Sequence, residues 1–316
     1  MTSSAVAQLV VGARTDVGSV RTRNEDCIYT EPVDSPQTRE YGWVGVVADG
    51  LGGHPSGDFA SRLAAQTTRD VFYKRSHEST GERLRSAVKK ANEVIVQTAQ
   101  TEVQHADMAS TITAAVIQGA TVFMAQVGDS RGYLIRNGRV RRVTRDHSLV
   151  DELVRSGELT AEEALHHPQR NVITRALGVK ATVEVDVFEE KLRNADIILL
   201  CSDGLYRMVE DGEMARAMIA EPQQAVETLI ALANQRGGPD NISVVAVRIS
   251  LPESTNEDPS PRREVTRDDD TLPRHPVLKS TGDETPPRRE VTRDDDTLPR
   301  HPALKSTEDE TLPNRS

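Results

Sequence analysis

The chain has 316 residues, 36% of them hydrophobic, and a formal net charge of −10. That is enough apolar material for one large core or two small ones. Its mixed but acidic charge balance excludes a dedicated nucleic-acid binder with a basic stripe, and no apolar run approaches the roughly 18 residues of a membrane span. Two cysteines, Cys27 and Cys201, stand in no C-x-x-C pair and make no disulfide framework in a chain this long, which points to a reducing compartment, the cytoplasm.

The N-terminal MTSSAVAQLVVGARTDVG lacks a basic region ahead of its short apolar stretch, so it reads as an extended lead-in and a first strand, not a signal peptide. Glu25 and Asp26, in RTRNED, open another strand. YGWVGVVAD (41–49), STITAAVI (110–117), TVFMAQVGD (121–129), DIILLCSD (196–203) and NISVVAVRI (241–249) read as strands, mostly buried. Apolar residues at three- and four-residue steps predict helices over 57–74 and 82–104, and a helical pair over 211–235 broken near Pro222. GAT at 119–121 and RNG at 136–138 predict hairpins. In LTAEEALHHPQRN a capping box, Thr160 with Glu163, starts a short helix that ends before Pro168. Hairpins with paired long helices imply an α+β fold of stacked antiparallel sheets with helices outside, not a regular βαβ repeat.

The composition divides the chain into a folded domain, 1–250, and a tail, 251–316. Ten of the 16 prolines lie in the tail, and no aromatic residue follows Tyr206. Such a segment buries too little apolar area to offset the entropy of ordering it, so the tail is expected to be disordered. It carries a duplicated unit with a 26-residue period: the 25 residues PRREVTRDDDTLPRHPVLKSTGDET from Pro261 recur from Pro287 with changes only at Val277/Ala303 and Gly282/Glu308. Two units do not make a solenoid. The tail is either a solvated spacer or a docking tail, in which Thr266, Thr271, Thr292 and Thr297 beside the DDD runs suit phosphorylation and a phosphothreonine-binding module.

The chemistry concentrates in carboxylates at strand ends. Asp49 ends one buried strand in VVADGLGGH, Asp129 another in QVGDSRG and Asp203 a third in LLCSDGL, while Asp240 just precedes a strand in GGPDNIS. Taken singly, each has an ordinary reading as a turn or cap residue. Together, carboxylates arriving at one sheet edge repel one another unless cations neutralise them. An all-oxygen set with no His or Cys selects Mg²⁺ or Mn²⁺ over zinc, and paired ions of this kind serve in-line attack on phosphorus.

At this point the chain resembles the bacterial type 2C (PPM) serine/threonine protein phosphatases. The resemblance runs from about Ala13 to Ile249 through eight motifs in order: DVGSVRTRNED, VADGLGGHPSGDFAS, MASTITAAVI, VGDSRGYLIRNGRV, TRDHSLV, HPQRNVITRALG, LLCSDGL and GGPDNISVVAV. It implies a four-layer α-β-β-α sandwich of two packed, mainly antiparallel sheets flanked by helix pairs. It implies two ions, with a third as in bacterial members. Asp49 would bridge two ions and the Gly50 carbonyl would bind the second. Asp203 and Asp240 would complete the first, and Asp129 with Asp203 would hold the third. Glu25 and Asp26 would orient metal waters, Asn241 would support Asp240, and Arg21 would bind phosphate. His54 is the candidate general acid for the leaving group and His147 its rival, read as a helix-entry residue. Residues 148–172 correspond to the flap beside the site, where exposed Arg170 is a candidate substrate contact. The implied partners are phosphorylated proteins and a cognate Ser/Thr kinase.

Three places depart from the family pattern: MAST (108–111) lacks a glycine, DGLYRMVED (203–211) lacks an aspartate soon after DGL, and Cys27 replaces a small polar residue. The rival readings are a catalytically weak phosphopeptide-binding regulator of the same fold and a two-metal nuclease. Retention of Asp49, Asp129, Asp203 and Asp240 weighs against the first, and the missing basic surface weighs against the second.

Overall fold

The structure is a computed structural model that describes residues 7–51, 55–74 and 77–251. In chain order its elements are β1 (Gln8–Asp16), β2 (Asp26–Thr30), α1 (Pro36–Tyr41), β3 (Trp43–Leu51), α2 (Pro55–Lys74), α3 (Thr80–Thr101), β4 (Ala109–Ser110), β5 (Ile112–Gln118), β6 (Thr121–Val127), β7 (Arg131–Arg136) and β8 (Arg139–Arg142). There follow α4 (Leu149–Ser156), α5 (Ala161–His166), β9 (Asp186–Lys191), β10 (Ile197–Cys201), α6 (Asp203–Tyr206), α7 (Asp211–Ala217), α8 (Pro222–Gln235) and β11 (Ile242–Ser250).

Two sheets form, one in the order β1-β11-β10-β7-β8 and one in the order β2-β3-β5-β6-β9, with β4 paired to β3. Every paired strand is antiparallel to its neighbour. Strand parity builds three apolar layers. Trp43, Val47, Met124, Leu134, Leu200 and Val245 pack between the sheets. Val44, Val46 and Ala48 face the other way, onto Ala60, Ala64 and Phe72 of α2 and Leu84, Val88 and Ile95 of α3. Leu199, Val244 and Ala246 face Met214 of α7 and Val226, Leu229 and Ala233 of α8. Both faces of the central strands are buried, which is why their sequences run apolar without alternation. The expected four-layer sandwich is the observed fold.

Several boundaries shift. Tyr41 and Gly42 precede β3, because Tyr41 ends α1 and Gly42 caps it. Asp49 lies inside β3, whereas β6 ends at Val127 and β10 at Cys201, so Asp129 and Asp203 lie just beyond their strands and Asp203 opens α6. The capping box of Thr160 with Glu163 is present and starts α5. Leu251, placed in the tail from composition, packs against the inter-sheet layer. The duplicated tail and His54 fall outside the described residues.

Candidate active site at one end of the inter-sheet layer

The start of β2 meets the end of β3 and the end of β10 meets the start of β11, through the pairings Asp26↔Asp49 and Cys201↔Val244, and the Ser202–Asp26 hydrogen bond joins the two pairs at one end of the sandwich. There the inter-sheet layer turns from apolar to polar without changing parity. Asp49 follows Val47 on the same side of β3, Asp26 shares a face with Ile28, and Ser202 follows Leu200. Thr113 and Gln126, paired across β5 and β6, bond to each other at 2.6 Å.

Asp26 is 7% exposed and accepts a hydrogen bond from Ser202 Oγ at 2.7 Å. Burial lifts its pKa to about 7, with Asp203 and Asp240 adding repulsion and hydroxyls opposing the rise. Asp49 is raised well above the usual carboxylate range, first by burial and then by Asp26, Asp203, Asp129 and Asp240. Asp129 is 3% exposed, and burial and Asp203 lift it to about 7. Its Oδ1 is buried with no hydrogen-bond partner, while Oδ2 lies 3.5 Å from the Tyr206 hydroxyl. Asp203 is raised by burial, with the Arg207 guanidinium opposing the rise.

The surrounding loops are fixed by close backbone packing. A Cβ on Gly50 would fall 2.2 Å from the Gly57 carbonyl oxygen, and one on Gly204 2.1 Å from that of Asn241, so only glycine lets these segments meet. Asn241 Nδ2 donates to the carbonyls of Val17 at 2.9 Å and Arg23 at 2.8 Å, and its Oδ1 accepts from Glu25 N at 2.8 Å. The Asn241 side chain therefore clamps the loop that carries Arg21 and Glu25, and it reaches Asp240 through its backbone N–H at 2.9 Å. The Glu25 carboxylate lies against Gly57 at the start of α2.

Two arginines are paired to these carboxylates. Arg21, half exposed, donates to Asp240 Oδ2 at 2.9 Å. Arg207 Nη2 lies 3.0 Å from Asp203 Oδ2 and 3.6 Å from Asp129 Oδ2, and its Nη1 donates to Asn171 Oδ1 at 2.6 Å. Among the described residues no three His, Cys, Asp or Glu side chains are grouped closely enough to chelate an ion as they stand. The donor set is nevertheless all oxygen and short of positive charge, and it includes one buried orphan oxygen. That chemistry fits hard divalent cations.

Sequence reasoning missed Arg207, Asn171 and Tyr206. Arg207 follows DGL directly enough to have been suspected, one helical turn after Asp203. Nothing local marks Asn171, which arrives from 36 residues away. His147, the rival acid, is buried: its Nδ1 accepts from Gly128 N at 3.1 Å, and burial and Arg175 hold its pKa below the usual value. Its Nε2 lies 3.4 Å from Asp186 Oδ2 and 3.1 Å from Arg175 Nη1, so both ring nitrogens are engaged in contacts within the fold. Arg170 is exposed, as expected.

A family model described as protein phosphatase 2C matches residues 23–235. The serine/threonine phosphatase stp of Listeria welshimeri is 39% identical over 246 residues, covering 75% of this chain and 95% of that protein. The serine/threonine protein phosphatase PstP of Mycobacterium tuberculosis is 35% identical over 261 residues, covering 82% of this chain and 49% of that protein. The solved catalytic domain of a PstP in complex with two manganese ions superposes with a TM-score of 0.67 at 34% identity, covering 77% of this chain and 99% of that one. The chain belongs to the protein phosphatase 2C family.

Proposed function

We infer that the protein is a metal-dependent protein phosphatase that hydrolyses phosphoserine and phosphothreonine on other proteins, with Mn²⁺ or Mg²⁺ as its cofactor. The observation that carries this reading is the convergence of Asp26, Asp49, Asp129, Asp203 and Asp240 on one end of a family fold, where the other four each raise Asp49. Asp49 and the Gly50 carbonyl, with Asp203 and Asp240, would hold two ions, and Asp129 with Asp203 a third. Bound there, the ions supply Lewis-acid neutralisation of phosphoryl oxygens and make water acidic near neutral pH.

The chain's own residues do the rest. The Arg21 guanidinium sits at the open rim, and its planar fork takes two phosphate oxygens. Asp26, fixed through Ser202 Oγ, and Glu25, packed against Gly57, orient the attacking water by accepting its hydrogen bonds. Water attacks phosphorus in line, so no phosphoenzyme forms, and electrostatic stabilisation supplies most of the catalysis. The leaving alkoxide needs a proton, for which His54 is the candidate donor. The binding-only reading is not favoured, since burying this many carboxylates is costly for a module that only recognises phosphate.

The free Cys27 and Cys201 support a cytoplasmic site of action, and among the described residues no helix is long and apolar enough to cross a membrane. A Ser/Thr kinase writes the phosphates this enzyme removes, and the threonines of the tail repeats serve as its sites or as docking points for a phosphothreonine-binding module. The test is hydrolysis of a phosphothreonine peptide by the full chain with Mn²⁺. Turnover lost to a chelator and restored by excess Mn²⁺ supports the assignment. Chelator-resistant turnover, or activity on an oligonucleotide instead of the peptide, overturns it.

A further inference from the structure

We propose that Arg207 is a built-in counter-cation of the Asp129–Asp203 pair, competing with a divalent ion for that pair and tying it to Asn171 in the segment between α5 and β9. This rests on the reading of Asp49, Asp203 and Asp240 as ligands of the first two ions. Arg207 Nη2 contacts both carboxylates, 3.0 Å from Asp203 Oδ2 and 3.6 Å from Asp129 Oδ2. A single guanidinium charge cannot neutralise two carboxylates, and Asp129 Oδ1 stays buried and unpartnered beside it. The pair is therefore satisfied in part and remains attractive to a stronger cation.

The two cations exclude each other. An ion such as Mg²⁺ draws carboxylate oxygens in to about 2.0–2.1 Å, leaving no room for a guanidinium nitrogen at the same Oδ2 atoms. Entry of an ion expels Arg207 Nη2, and as the guanidinium moves its other nitrogen, Nη1, leaves Asn171 Oδ1, which it now holds at 2.6 Å. Residues 157–172, where Arg170 is exposed, are thereby coupled to the loading of the Asp129–Asp203 pair. Arg207 is a positioning residue here. It sets how many ions the site holds at a given concentration, and it links the last of them to the neighbouring segment.

The experiment is equilibrium dialysis of the full chain against Mn²⁺ alone, with hydrogen exchange read over residues 157–172. The native chain should load two ions before a weaker third, and exchange in 157–172 should rise only as the third binds. Arg207→Ala and Arg207→Gln should each tighten the weakest site by about tenfold or more. Asn171→Ala, which frees the Arg207 guanidinium from its second tie, should tighten the weakest site to a smaller degree than the Arg207 variants, while making exchange fast at every Mn²⁺ concentration. Superimposable isotherms for the native chain and folded Arg207 variants would overturn the proposal. Should neither Arg207 variant fold, exchange in the native chain that ignores Mn²⁺, or that responds alike in Asn171→Ala, overturns it just as well. Asp49→Asn separates the two levels: if it binds as many ions as the native chain, the ligand reading has failed and this proposal falls with it.

Discussion

At Asp49 the parity that buries Val47 between the sheets carries a carboxylate into the same layer two residues on. The strand that makes the core also aims the charge. Asp203→Asn removes one such charge and keeps the shape. It should lower Mn²⁺-dependent turnover by on the order of a hundredfold or more while circular dichroism shows the domain folded; near-native turnover refutes the role of Asp203. The buried carboxylates also give a signed pH effect without metal. Asp26 and Asp129 titrate at about 7 when folded, against about 3.9 in an unfolded chain. Between those values the folded state holds protons that the unfolded chain has released, so metal-free stability falls as pH rises from about 4 to about 7. Asp129→Asn should flatten that fall and raise the metal-free Tm at pH 7 by a few degrees, about 1 kcal/mol. A lowered Tm would show that the folded site does not penalise this charge.

Elements fix what no single residue can. The loop between β1 and β2 has no regular structure, and Asn241, at the entrance to β11, holds it by three hydrogen bonds to backbone. Asn241→Ala removes three part-buried hydrogen bonds to backbone and should cost about 1–3 kcal/mol in urea unfolding. It should also raise the KM for a phosphopeptide, because Arg21 rides on the same loop. An unchanged KM would mean that Arg21 keeps its place without the clamp. The central strands were legible in sequence because both faces are buried and the residues are continuously apolar. Strand β9, with DVFEEK, was not: it lies at a sheet edge beside β6 alone and carries charges at four of six positions. Helix α6 was hidden because Asp203-Gly204 is also ordinary turn chemistry, and only contact with Asn241 settles its path.

On the scale of the whole molecule, the proposed catalysis belongs to the sandwich. Every ligand proposed here comes from residues 49–240, and Leu251 still packs on the core. Cutting the chain after Leu251 should therefore leave hydrolysis of a small phosphate ester within about twofold, since surface removals away from a site have small effects; a collapse would place part of the active site in the tail. A cognate kinase should in turn incorporate phosphate at Thr271 or Thr297, detectable by mass spectrometry, and no incorporation favours a plain spacer.

The sequence by itself determined the layers and the chemistry. Apolar runs bounded by aspartates, in a family's motif order, specify buried strands that end in hard oxygen donors, because side-chain parity and donor type are local properties. The Arg207–Asp203 pair, one helical turn apart, is local, but tertiary structure alone decided which distant cations the carboxylates meet. Arg207 reaches Asp129 across 78 residues of chain and Arg21 reaches Asp240 across 219. Long-range electrostatics depends on distances in space, and no spacing along the chain encodes them.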